Sequence, residues 1–276
     1  MPNPPLISKA QLHQQINRLS PYKASGPDGI PNVVLQKSAD VLEDYLLPIY
    51  QAAIRIRTYF DTWKESITIV LQKQGKPSYE APKAYRPIAL LNTMAKVFTA
   101  IVAENITRMV EKGRLLPDNH YGGRPGRMTT DVVHVLVDRI KRAWRKGKVV
   151  SILFLDVEGT FPNTVTDRLL HNLHKRRIPE AYVKIIQQVL VDCHTKLKFD
   201  DFVSDNILIN NGIGQGDPLS MVLYILYNAD LLEIASSLKE ELLGFVDNAM
   251  VMAEAKNFHE TTEIITDFMN REEGGF

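Results

Sequence analysis

Residues 148–159 read KVVSILFLDVEG, a near-continuous apolar run that stops at a single carboxylate, Asp156. A strand without polar alternation is usually covered on both faces, so it belongs inside a layered structure and Asp156 emerges at the edge of the core. A second stretch, LLGFVDNAMVMA (242–253), reads as two short strands joined by a tight turn, with Asp247 and Asn248 at the tip. An antiparallel sheet built from both stretches would bring Asp156 and Asp247 together. Carboxylates converging on one edge make a hard-oxygen site suited to Mg²⁺. A pair of such ions about 4 Å apart activates an attacking oxygen and stabilises a leaving one in phosphoryl transfer. Taken singly, each aspartate is more readily an ordinary strand-end or turn residue.

The rest of the chain alternates helical and extended patterns. Residues 20–32, SPYKASGPDGIPN, form a loop rich in Pro, Gly and Asp, and a helical pattern follows over 34–57. SITIVLQK (66–73) reads as a strand, and QGKPSYEAPKAYRPIA (74–89) as a turn-rich stretch. Helices are expected over 93–112 and 129–147, with the glycine- and arginine-bearing loop LLPDNHYGGRPGR between them. Val132, Val133, Leu136 and Ile140 lie along one face of the second helix, and its cations gather at the carboxy end, where they suit the helix dipole. Helices at 164–176, 180–191 and 218–238, strands at 194–199 and 205–210, and a last helix over 257–270 with a stop in REEGGF complete the reading. Strand, helix, hairpin, helix is the ingredient list of a ferredoxin-like sheet.

Charge is segregated along the chain. Residues 1–150 hold 23 Lys and Arg against 12 Asp and Glu, and residues 151–276 hold 10 against 20. This suggests a basic region for polyanions beside an acidic region that holds cations, although two mutually attracting solvated surfaces explain the same numbers. No apolar run reaches the roughly 18 residues of a membrane helix, and the start lacks a signal-peptide core, so an intracellular protein of the nucleus or cytoplasm, without a membrane, is expected. The single Cys193 excludes an internal disulfide and a multi-cysteine zinc site.

Six stretches in order resemble one family. FLDVEGTF, GIGQGDPLS and LLGFVDNAM are similar to the three successive palm motifs of reverse transcriptases. KASGPDGIPN, AYRPIALLNTMAKVF and YGGRPGRMTTD resemble the finger motifs of the non-LTR (LINE-type) retrotransposon branch, in a fungal lineage. The resemblance spans about residues 20–255. It implies an α+β right-hand polymerase architecture, with basic helical and β fingers over 1–148 and an acidic ferredoxin-like palm over 149–276, and with the thumb missing. It implies RNA-directed DNA synthesis with two Mg²⁺ ions, an RNA template, a DNA primer or RNA–DNA hybrid, and deoxynucleoside triphosphates.

By the same resemblance, Asp156 and Asp247 are metal-binding carboxylates, the carbonyl of Val157 completes the first metal site, and Asn248 occupies the remaining catalytic position. Phe161 falls where the family blocks the 2′-hydroxyl of a ribonucleotide, a steric task because omitting hydrogen bonds rejects an added hydroxyl weakly. Arg86 matches the arginine that grips the triphosphate, with Lys73 adding a point charge. Gln215 lies against the nucleotide sugar and base, and Gly216 permits close backbone approach. Arg124, Arg127, Lys141, Arg142 and Arg145 are expected along the template phosphates.

Two departures bear on activity. The family's hairpin carries two adjacent aspartates, whereas here the second is Asn248. Losing one ion–ion attraction at 4 Å is worth about 4 kcal/mol at an effective dielectric of 20, so impaired catalysis is expected. The chain also stops soon after the helix following the hairpin, which implies that later palm segments and the thumb are missing. A non-enzymatic nucleic-acid-binding remnant, or a decayed reading frame, are the alternatives.

Overall fold

A computed structural model describes residues 6–235, 237 and 239–271. In chain order the elements are α1 (Lys9–Arg18), α2 (Asn32–Lys37), α3 (Ala39–Ile56), β1 (Glu65–Gln72), β2 (Tyr85–Leu91), α4 (Thr93–Gly113), α5 (Thr129–Arg145) and β3 (Val149–Asp156). They continue with α6 (Thr166–Lys175), α7 (Glu180–Leu190), β4 (Cys193–Phe199), β5 (Phe202–Val203), β6 (Ile207–Ile209), α8 (Pro218–Asn228), β7 (Glu240–Phe245), β8 (Asn248–Ala255) and α9 (Phe258–Met269). The fold is mixed α/β. No described helix is long and apolar enough to cross a membrane.

Two compact units interleave along the sequence. The first comprises Met1–Arg108 and Phe161–Ser220, and the second Met109–Thr160 and Met221–Phe276. The linear boundary expected at 148/149 therefore falls within the second unit, between α5 and β3.

In the first unit, helices pack around an aromatic centre. Tyr50, Trp63 and Phe98 meet edge-on or tilted at 5.4–5.8 Å between ring centroids, within the range such pairs prefer. The Tyr50 hydroxyl satisfies itself by donating to the Met94 carbonyl at 2.7 Å. Beside this core lies a sheet of order β2-β1-β4-β5, with β6 also on β4. β1 pairs antiparallel with β2 and parallel with β4. The turn-rich reading of residues 74–89 misses β2, because Pro87 argues against a strand. β2 is an edge strand, where a residue without an N–H is tolerated. The helix expected over 34–57 is broken at Ser38, which leaves helical geometry (φ −106°, ψ 10°) and separates α2 from α3. α1, absent from the sequence reading, begins at Ser8, whose hydroxyl accepts from the Gln11 N–H at 3.1 Å.

The second unit is built on a three-stranded antiparallel sheet of order β3-β8-β7. α9 packs on β3 and β8, its Phe268 set into the apolar layer formed by Leu153, Leu155, Leu242 and Val251. Full burial of a side chain such as Phe268 is worth roughly 1.5–3 kcal/mol. The expectation that residues 149–156 are covered on both faces is corrected here. β3 is the edge of an antiparallel sheet, and Phe154, on the face away from Leu153 and Leu155, is exposed. α8 ends at Asn228, earlier than position 238, and Ala229–Glu233 continue as a 3-10 turn. Positions 236 and 238, and the expected stop in 272–276, lie outside the described residues.

Candidate active site

β7 and β8 meet in a two-residue turn, Val246–Asp247. Val246 has φ +56°, a region that a β-branched residue seldom enters and that glycine normally fills at this place in a hairpin. Such strain costs on the order of 1–3 kcal/mol and persists only where the surroundings enforce it. Here the enforcing contacts are visible. The Val246 carbonyl accepts from Asn228 Nδ2 at 3.2 Å. The Tyr121 N–H donates to the Gly244 carbonyl at 2.8 Å, and the Gly244 N–H to the Asn119 carbonyl at 2.9 Å, so residues 119–121 run beside β7. Gly122 continues toward the tip so closely that a methyl group there would lie 2.6 Å from Val246 Cγ2 and 2.7 Å from its backbone nitrogen.

That hairpin delivers Asp247 to the end of β3. Asp156 stands directly opposite Asn248 in the β3–β8 register, and the Val157 N–H donates to the Asp247 carbonyl at 3.3 Å. Asp156 and Asn248 are exposed, and Asp247 is half-buried. The Thr160 hydroxyl donates to the Val157 carbonyl at 2.9 Å and lies 3.4 Å from Asp247 Oδ2. Burial pushes the Tyr224 hydroxyl up to about 12; a hydrogen bond with Thr160 opposes this, and the charges of Asp247 and Asp156 reinforce it. Tyr224 is therefore a neutral phenol at physiological pH. Thr160, inside the FLDVEGTF motif, and Tyr224, outside every motif, are supporting residues to which the sequence alone assigns no role.

The donors gathered here are two carboxylates and a backbone carbonyl, all hard oxygens. That set fits a divalent cation that keeps several waters. Among the described residues, no group of three or more His, Cys, Asp or Glu could hold a metal ion. The Asn248 amide nitrogen donates to Asp247 Oδ1 at 3.3 Å, so a neutral donor stands where a carboxylate would offer charge. Glu254 does not substitute, because it stands opposite Val150 near the other end of β3 and pairs with Lys148 at 2.7 Å.

In the first unit, the residues expected around a nucleotide assemble along β2. Lys73 and Arg86 line one groove of about 780 Å³ together with Leu71, Gln72, Gln74 and Lys76. Lys76 is a third cation there that the sequence reading left out. The Ala89 N–H on the free edge of β2 donates to the Gln215 carbonyl at 2.8 Å. Gly216 has φ +126°, and a methyl group on it would meet the Ala89 carbonyl at 2.5 Å, so only glycine fits. The same loop reaches Phe161, whose carbonyl accepts from the Ile213 N–H at 2.9 Å. Asp217 Oδ1 then accepts from the Leu219 N–H at 2.9 Å and starts α8.

The expected template arginines divide. Arg124, only 7% exposed, is corrected to a structural role. Its guanidinium grips Glu111 through two bonds of 2.8 and 2.9 Å and donates to the Pro117 and His120 carbonyls. It thus ties down the loop that braces the hairpin, and its hydrogen bonds hold the Glu111 carboxyl below its ordinary range. Arg127 donates to the Asp118 and His120 carbonyls and lies over the Tyr121 ring at 5.1 Å. Lys141, Arg142 and Arg145 are exposed on α5, with Arg142 paired to Asp138 at 2.5 Å.

Carboxylates placed at a strand end and on an adjoining hairpin of a mixed α/β chain are the arrangement of a polymerase-type domain. The chain belongs to the reverse transcriptase (RNA-dependent DNA polymerase) family, whose pattern matches residues 71–273. Within it, the chain is a reverse transcriptase domain of the non-LTR retrotransposon kind. It is 30% identical over 267 residues to the probable RNA-directed DNA polymerase from transposon X-element of Drosophila melanogaster, covering 95% of this chain and 29% of that protein. It is 28% identical to the probable RNA-directed DNA polymerase from transposon BS of the same fly, over 82% of this chain and 25% of the relative. The RNA-directed DNA polymerase from mobile element jockey of Drosophila funebris is 22% identical over 96% and 29%. The chain thus spans less than a third of the length of these relatives. All three come from flies and lend no support to a fungal lineage.

Proposed function

We propose that this chain catalyses RNA-directed DNA synthesis, extending a primer by one deoxynucleotide at a time, at a rate reduced by Asn248. The observation that carries the reading is the meeting of Asp156 and Asp247 at the joined ends of β3 and the β7–β8 hairpin. Asp156, Asp247 and the Val157 carbonyl would hold divalent cations, Mg²⁺ in the first instance. Cations held there would supply activation of the primer 3′-hydroxyl and charge stabilisation for the leaving oxygen.

The chain's own groups do the rest. Arg86 offers a planar fork to the triphosphate, and Lys73 and Lys76 add charge in the same groove. Phe161, fixed by its backbone bond to Ile213, blocks a 2′-hydroxyl, while Gln215 and Gly216 approach the nucleotide. In this reading the second unit carries the ferredoxin-like palm centre, and the basic fingers come mainly from residues 1–148. Arg127, Lys141, Arg142 and Arg145 contact template or primer phosphates. Asn248 also favours a second reading, a nucleic-acid-binding remnant without chemistry. Primer extension on an RNA template separates the two: incorporation by the natural chain or by Asn248→Asp supports synthesis, and salt-sensitive binding with no incorporation by either supports the remnant.

A further inference from the structure

α5 and the turn after it contain RIKRAWRKGK (139–148), six cations with no acid among them. Three are engaged: Arg139 with Glu241 at 2.9 Å, Arg142 with Asp138 at 2.5 Å and Lys148 with Glu254 at 2.7 Å. Lys141, Arg145 and Lys146 are exposed and have no ion pair among the described residues. In their midst Trp144 is 65% exposed, whereas the chain's other tryptophan, Trp63, is 8% exposed. The buried side of α5 runs through Val132 and Ala143, and most of the Trp144 indole stands outside it in solvent. Lys141 sits one turn before Trp144, on the same surface of the helix.

We propose that the carboxy-terminal end of α5 is a platform for single-stranded nucleic acid, where a base stacks on Trp144 and neighbouring phosphates pair with Lys141, Arg145 and Lys146. This rests on the reading of nucleic acid as the substrate, and adds to it a base contact remote from the chemistry. β3 leads from this end of α5 to Asp156, eight residues or roughly 23 Å of strand, so the platform holds the strand and does not touch the reacting nucleotide. Unpaired cations select a polyanion. An exposed flat ring among them selects unpaired bases, because a duplex keeps its bases stacked on one another and presents phosphates alone. Stacking of this kind tolerates any sequence.

The test uses the full chain in EDTA without nucleotide, so its result is independent of polymerisation. Trp144 is the exposed fluorophore, and an unstructured 12-nucleotide oligoadenylate should quench it saturably, more than a blunt duplex of equal length. Three phosphate contacts give a log–log salt slope of roughly −2, and Lys141→Gln with Arg145→Gln should bring it to roughly −0.7. Affinity, measured by anisotropy of a labelled strand, should fall on the order of tenfold in Trp144→Leu and return toward the natural value in Trp144→Phe. Unchanged affinity in Trp144→Leu, equal quenching by duplex, or equal quenching by polyglutamate each overturns the proposal. Quenching that persists in a chain that never extends a primer supports the platform and sinks only the catalytic reading.

Discussion

Replacing Asn248 by aspartate changes one atom and one charge, and the structure says what that charge meets. The Asn248 amide nitrogen is 3.3 Å from Asp247 Oδ1, and its backbone stands opposite Asp156. In the variant, a donor–acceptor contact becomes a contact between two carboxylates. Unit charges 4 Å apart interact by about 1 kcal/mol in bulk water and about 4 kcal/mol at a dielectric of 20. Because Asn248 is exposed, the lower part of that range applies, about 1–2 kcal/mol. Without a cation this is repulsion, and Asn248→Asp should melt earlier than the natural chain in EDTA. With a divalent cation the sign reverses, so added Mg²⁺ should close or invert the gap. If that attraction holds the cation more firmly as charge develops on the reacting phosphate, about 1–2 kcal/mol gives a roughly 5- to 30-fold faster single-nucleotide extension. Melting curves across a Mg²⁺ titration and single-turnover extension supply both readouts. Identical Mg²⁺ response and identical rate in the two chains would show that the side chain at position 248 does not face a bound cation.

Other consequences are as specific. Gly122→Ala drives a methyl into the Val246 backbone, and should cost about 1–3 kcal/mol, seen as a lower melting temperature and weakened extension. Arg124→Met removes the paired bonds to Glu111, at a cost of about 2 kcal/mol near neutral pH. Because Arg124 depresses the Glu111 pKa, this stabilisation is complete above the ordinary glutamate range and is lost as pH falls through the lowered folded value; melting of both chains at acidic and neutral pH should show the gap narrowing on the acid side. Phe161→Ala should raise ribonucleotide use relative to deoxynucleotide use by on the order of 10- to 100-fold in competition assays. Arg86→Lys should raise the apparent KM for the triphosphate more than it lowers kcat.

The carboxylate pair was legible because its two carriers announce themselves: an apolar run that halts at Asp156, and a hairpin whose tip is Asp247. Position along an extended chain is enough to place such ends. β2 was hidden because Pro87 signals a break unless the strand's edge position is known, and edge position depends on pairing with β1, a long-range fact. Arg124 was misread for a related reason. Its sequence context, glycines and other cations, matches a phosphate-binding loop, but whether a guanidinium is free depends on which acceptors the fold brings to it. Glu111 and two carbonyls consume this one. Val246 gave no warning at all, since backbone strain is imposed by neighbours, here Gly122 and Asn228, and leaves no mark on a valine's identity.

Under the proposed function, Asp156 and Asp247 share a divalent cation. Calorimetric titration of Mn²⁺ into the natural chain, Asp156→Asn and Asp247→Asn tests it most directly. One saturable binding event is expected, weakened at least tenfold by each substitution. Natural-strength binding in either variant would contradict it.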